Sequence, residues 1–143
     1  MLAEKIVHDG SPLNASEAFA AVLYGAVAAD GVVTQAEALA LTHALFETAM
    51  YRGLHEPQMR AILTRVRGIY KARGLDDMLK EAAPRVPADL RDTAYAQCVD
   101  LVMADDTVNE DELEYLKKAQ RALAVPDDLA LKIVEVVRIL NKG

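Results

Sequence analysis

Two stretches of the chain place carboxylates at matching positions. Ala29-Asp30-Gly31-Val32-Val33-Thr34-Gln35-Ala36-Glu37 and Ala104-Asp105-Asp106-Thr107-Val108-Asn109-Glu110-Asp111-Glu112 align without a gap, offset by 75 residues (104 − 29). Hard oxygen donors of this kind suit calcium or magnesium before zinc. Asp30-Gly31-x5-Glu37 also reproduces the second half of an EF-hand loop. The first half is missing, because its ligand positions fall on Ala26 and Ala28 in one copy and on Leu101 and Met103 in the other. Neither turn alone is a calcium cage. Packed about a pseudo-two-fold axis, however, the two copies would bring Asp30, Glu37, Asp105, Asp106 and Glu112 into one acidic crevice, with Glu110 nearby. The expectation is a weakly held divalent cation, Ca2+ or Mg2+.

The same residues have a second chemistry. Thr34 and Asn109 stand where a helix should begin, and their side-chain oxygens can accept from orphan amides of the first turn. Glu37 and Glu112, three residues on, can reach back to the cap amide, which makes a capping box in both copies. Gly31 suits a left-handed backbone, and its counterpart Asp106 belongs to the few types that tolerate one. Val33 and Val108 precede the caps and are placed to pin each turn to the core, with Leu41 and Leu116 equivalent on the helices that follow. Capping and ligation compete for the same oxygens.

Other reactive side chains are sparse. His8 and His55 stand alone, and His43 has only Glu47 one helical turn on, without a His-Glu-x-x-His zinc motif or the Glu-x-x-His pairs of di-iron bundles. Cys98, the single cysteine, excludes an internal disulfide, fits a reducing cytoplasm and reads as a buried structural thiol among apolar neighbours. No Gly-rich phosphate loop and no Gly-x-Ser-x-Gly elbow occur, so no catalytic constellation is found and a non-enzymatic protein is expected. Arg60, Arg67 and Lys71 share one helical stripe, a basic face that is solvated by default but suits an acidic partner or a lipid head group.

Positioning these groups falls to helices. Ala and Leu are abundant, apolar residues recur at 3.6-residue spacing, and no alternating Val, Ile and Thr runs suggest strands, so the class is all-α. A short helix runs from Lys5 to His8. Asn14 and Glu17 form a capping box that opens a nearly all-apolar helix to Ala29. Further helices are predicted over Thr34–Tyr51, Pro57–Arg73, Asp76–Ala83, Ala88–Ala104 and Asn109–Leu123, and from Pro126 onward with Leu129, Ile133, Val136, Val137 and Leu140 on one side. Leu113, Leu116 and Leu123 are expected inward, and Glu114 is expected to pair with Lys117 or Lys118. About eight helices result, arranged as two pseudo-repeated helix, acidic turn, helix units, with the helices before the two acidic turns at the buried centre.

The chain's 143 residues, 52% of them hydrophobic, suffice for one domain spanning 1–143. A net charge of −6 disfavours nucleic-acid binding and favours cations or basic partners, and the absence of Trp removes the best base-stacking platform. No signal segment and no run of eighteen apolar residues occur, so a cytoplasmic protein without a transmembrane segment is expected, open to peripheral membrane association.

The paired turns Asp-Gly-x-Val-x-x-x-Glu and Asp-Asp-x-Val-x-x-x-Glu, each between an Ala-rich helix and a Leu-bearing one, precede a closing Leu123-Ala124-Val125-Pro126. With it they resemble the TerB family of tellurite-resistance proteins over roughly residues 14 to 140. The chain is similar as well to the amino-terminal region of some membrane-anchored DnaJ-type co-chaperones. The resemblance implies a compact all-helical, non-enzymatic domain of stress response, acting through metal binding or protein scaffolding, with Asp30, Glu37, Asp105 and Glu112 as its acidic positions. Asp106 departs from the family's second-turn Gly. Direct tellurite chemistry is not indicated, since it would call for thiols and only Cys98 is present. A metal-free helical scaffold for protein partners is the alternative reading.

Overall fold

Three helices begin at the caps foreseen. In the computed structural model, which describes residues 11–104 and 107–142, Asn14, Thr34 and Asn109 each accept from the amide three residues on. Glu17, Glu37 and Glu112 each accept the cap amide in return, at 3.0, 2.9 and 3.0 Å. The described residues are all-helical, in seven α-helices: α1 Ala15–Ala28, α2 Gln35–Glu47, α3 Glu56–Arg73, α4 Leu75–Ala82, α5 Arg91–Met103, α6 Glu110–Ala122 and α7 Asp127–Leu140. None of them is long and apolar enough to cross a membrane. The short helix expected at Lys5 to His8 lies outside the described residues.

The core is built around α1, which is buried without interruption from Ala18 through Ala28. A helix apolar on every side must be enclosed, and α1 accordingly meets α2, α3, α4, α5 and α6. Its small residues let neighbours come close. A methyl group at Gly25 would stand 2.6 Å from Tyr115 Cε1 and nearer still to the Cζ and hydroxyl oxygen of that side chain. The absent side chain therefore lets the phenol end of Tyr115 of α6 reach across α1 at Gly25, where its hydroxyl donates to the Val22 carbonyl at 2.6 Å. Helix α5, the second expected central helix, packs on α1, buries Ala94, Tyr95, Cys98, Val99 and Val102, and carries α7 on its far side.

Polar ties join helices far apart in sequence. Tyr51 donates to the Ser16 carbonyl at 2.7 Å. Arg65 of α3 meets Glu17 at 2.7 Å and also reaches Ser11, fastening the approach to α1 onto α3. Helix α6 ends in a Schellman arrangement, with Val125 N–H donating to Gln120 O and Ala124 N–H to Arg121 O. This requires φ of 58° at Ala124.

Several boundaries and faces differ from expectation. Helix α2 stops at Glu47 rather than Tyr51, because Thr48 turns to extended backbone and Ala49–Tyr51 forms a separate 3-10 turn. Ala88–Leu90 is likewise a 3-10 turn ahead of α5. On α6, Leu113 faces solvent, and Tyr115, Leu116 and Ala119 take the inward positions. On α7, Val136 and Leu140 are exposed, so the buried stripe runs instead through Ala130 and Val137, flanked by Leu129, Ile133 and Val134. Lys118 bonds Asp76 at the start of α4, in place of a pair with Glu114.

Candidate functional site

A concavity lies where α2 and α3 lean on α1 from two sides. Helix α2 also rests on α5, and α3 on α4, which leaves a groove of about 800 Å³ between α2 and α3. Its floor is Tyr24, Leu41, Met59 and Leu63. Tyr24 stacks edge-on against Tyr70 with ring centroids 5.5 Å apart. Burial pushes its hydroxyl above the usual value, and the Arg67 guanidinium nearby partly offsets that rise.

The two walls differ in chemistry. Leu39 and Phe46 stand on the α2 wall, 65% and 36% exposed. Arg60 and Arg67 stand on the α3 wall. Arg60 pairs with Glu56 at 2.9 Å on the surface, whereas Arg67 has no carboxylate within ion-pair distance among the described residues. The first acidic turn closes one end of the groove through Val33 and Thr34. A trench with an apolar floor, one wall that sets Leu39 and Phe46 among Gln35 and Thr42, and one basic wall can bury a nonpolar surface and hold a charge beside it.

Of the carboxylates singled out from the sequence, Asp30, Glu37 and Glu112 are engaged with backbone. Asp30 Oδ1 accepts from Val32 N–H at 3.0 Å, holding the turn in which Gly31 has φ of 86°. Glu37 and Glu112 serve their capping boxes, Glu112 at only 8% exposure. Asp105 and Asp106 lie outside the described residues. Among the described residues no group of three or more His, Cys, Asp or Glu side chains is placed to hold a metal ion. His43 meets Glu47 at 3.4 Å on the exposed face of α2, the one-turn pair its spacing allowed.

Cys98 is fully buried and its thiol lies 3.6 Å from the Val22 carbonyl. Burial pushes the thiol well above its ordinary range. A thiol held neutral is a poor nucleophile and a poor metal ligand.

Sequence reasoning located the basic stripe but missed the wall opposite. Its signal was a second apolar stripe on α2: Leu41 and Leu45 supply the core side, which leaves Leu39 and Phe46, seven residues apart, unexplained by burial. Compared with known proteins, the chain matches no family model, no curated protein and no solved structure.

Proposed function

We propose that this chain is a non-enzymatic helical interaction domain that acts through protein partners docked in the α2–α3 groove. One observation carries the reading: Leu39 and Phe46 stand exposed above a groove of about 800 Å³ whose floor is already apolar. A solvated surface has no use for large side chains converging on a trench, whereas an interface gains from covering them. The finer reading is a cytoplasmic, TerB-like stress-response domain of the tellurite-resistance type, built from two duplicated units. It draws support from the two gapless turns with matching capping boxes and from Leu41 and Leu116, which are buried at corresponding positions.

A photo-crosslinking residue at position 39, compared with one at exposed Ala122, tests the docking surface in cells. Discrete protein adducts are expected at 39 alone, and equal adducts at both positions would defeat the proposal. Calorimetric titration with calcium, magnesium, manganese and zinc separates the competing cation reading. No heat beyond dilution is expected. Binding that disappears in an Asp30→Asn plus Asp105→Asn variant would establish a shared cation site instead.

A further inference from the structure

We infer that the partner of the α2–α3 groove is an acidic amphipathic helix, its apolar stripe on Leu39 and Phe46 and its carboxylates on Arg60 and Arg67, an inference that rests on the groove being a docking site. Pitch is the first argument. Leu39 and Phe46 are seven residues apart on one wall, and Arg60 and Arg67 are seven apart on the other. Seven residues span about 10.5 Å of helix. A helix laid between α2 and α3 repeats its own faces at that interval, so one side of it meets the apolar wall at two successive heptads while the flank beside it meets both guanidinium groups.

Charge is the second argument. The chain carries a net −6, yet the α3 wall is basic, and Lys71 continues the same stripe one turn beyond Arg67. Arg67 is exposed, with no carboxylate partner among the described residues, and so it is available to an incoming carboxylate. Glu56, the acidic residue among the described lining residues, is matched by Arg60 at 2.9 Å. A basic helix would meet uncompensated repulsion at Arg67, and a purely apolar one would leave it facing a covered surface without a partner.

Shape is the third. The groove is half open to solvent and lined from both α2 and α3, which suits a rod seated between two helices more than a flat surface. An anionic membrane would match the arginines, but the walls rise on both sides of the apolar floor, a form that fits a cylinder better than a plane.

The test is fluorescence anisotropy on the full chain with two labelled, end-capped helical peptides of about eighteen residues, long enough for two heptads. Both have Leu at the heptad core positions. One has Glu at the flanking positions and the other Lys. The Glu peptide is expected to bind, and the Lys peptide to bind at least about tenfold more weakly, with the difference shrinking as salt rises. Arg60→Glu plus Arg67→Glu should reverse the preference, and Leu39→Glu plus Phe46→Glu should abolish binding of both. Equal affinity for the two peptides, with sensitivity to Leu39→Glu, would overturn the acidic partner while leaving the groove as a docking site. Failure of both peptides to bind would overturn the inference, and if position 39 also gives no specific adducts, the docking site goes with it. Tighter association with phosphatidylglycerol vesicles than with the Glu peptide, lost on Arg60→Glu plus Arg67→Glu, would overturn it in favour of a membrane surface.

Discussion

Replacing Gly25 by Ala tests the central packing with a single methyl group. In most helix interiors the change would stabilise, since Ala exceeds Gly in helix propensity by about 1 kcal/mol. Here the added carbon falls within 2.6 Å of Tyr115 Cε1, and neither side can give way easily. The Tyr115 ring is 1% exposed, and its hydroxyl is tied to the Val22 carbonyl at 2.6 Å. Overpacking costs about 1 to 3 kcal/mol, and displacing the ring forfeits a buried hydrogen bond worth about 1 kcal/mol, with a further penalty if the hydroxyl finds no new acceptor. Set against the propensity gain, the net loss is about 1 to 3 kcal/mol. Urea denaturation followed by circular dichroism should show it as a lower midpoint with an unchanged slope. The deciding measurement repeats the change in a Tyr115→Ala background. With the ring gone the clash is gone, so Gly25→Ala should become neutral or stabilising by up to about 1 kcal/mol. An equal loss in both backgrounds would refute the account of Tyr115 lying across α1.

Three further outcomes are expected. Ala124→Gly should stabilise by about 0.5 to 1 kcal/mol in the same assay, because Ala124 holds φ of 58° at the end of α6, a conformation glycine adopts without the Cβ penalty; destabilisation would show that the left-handed cap is unstrained. Thr34→Ala and Asn109→Ala should each cost about 1 kcal/mol or more, and Asn109→Ala the larger amount, since it disturbs a cap whose Glu112 is 8% exposed; the reverse order would count against the burial argument. Burial keeps the Cys98 thiol protonated above its ordinary value of 9.0. Unfolding releases that proton at alkaline pH, so the stability is intact below about pH 9 and falls as pH rises, by roughly 1 kcal/mol at pH 10. Cys98→Ala should flatten the stability profile between pH 9 and 10, and an unchanged slope there would contradict the burial of the thiol.

What could be read in the chain beforehand was local. Asn14, Thr34 and Asn109 announce helix starts because a cap and its Glu lie three residues apart, and all three boxes form as spelled out. The burial of α1 follows from a segment with no polar face, and that of Cys98 from its apolar neighbours. The pairing of Gly25 with Tyr115 was hidden, since it joins residues ninety positions apart (115 − 25) and neither is unusual where it stands. Val136 and Leu140 misled for a related reason. Their spacing marks an apolar stripe, but the stripe is broader than the surface α5 offers, and the excess stays exposed. The groove was half legible. Arg60, Arg67 and Lys71 declare a face on one helix, but a trench needs two helices held apart by a third, and that separation is a property of tertiary packing alone.

Helix α7 leans chiefly on α5, with Asn141 reaching back to the Met103 carbonyl at 3.4 Å, and it leaves Leu131, Ile139 and Leu140 outward. An element with a single main support has less to lose on coming away than one held from several directions, so its amides should exchange with deuterium ahead of those of α1. The molecule then has a seam along the α5–α7 contact, and thermal breathing begins there while the centre stays closed.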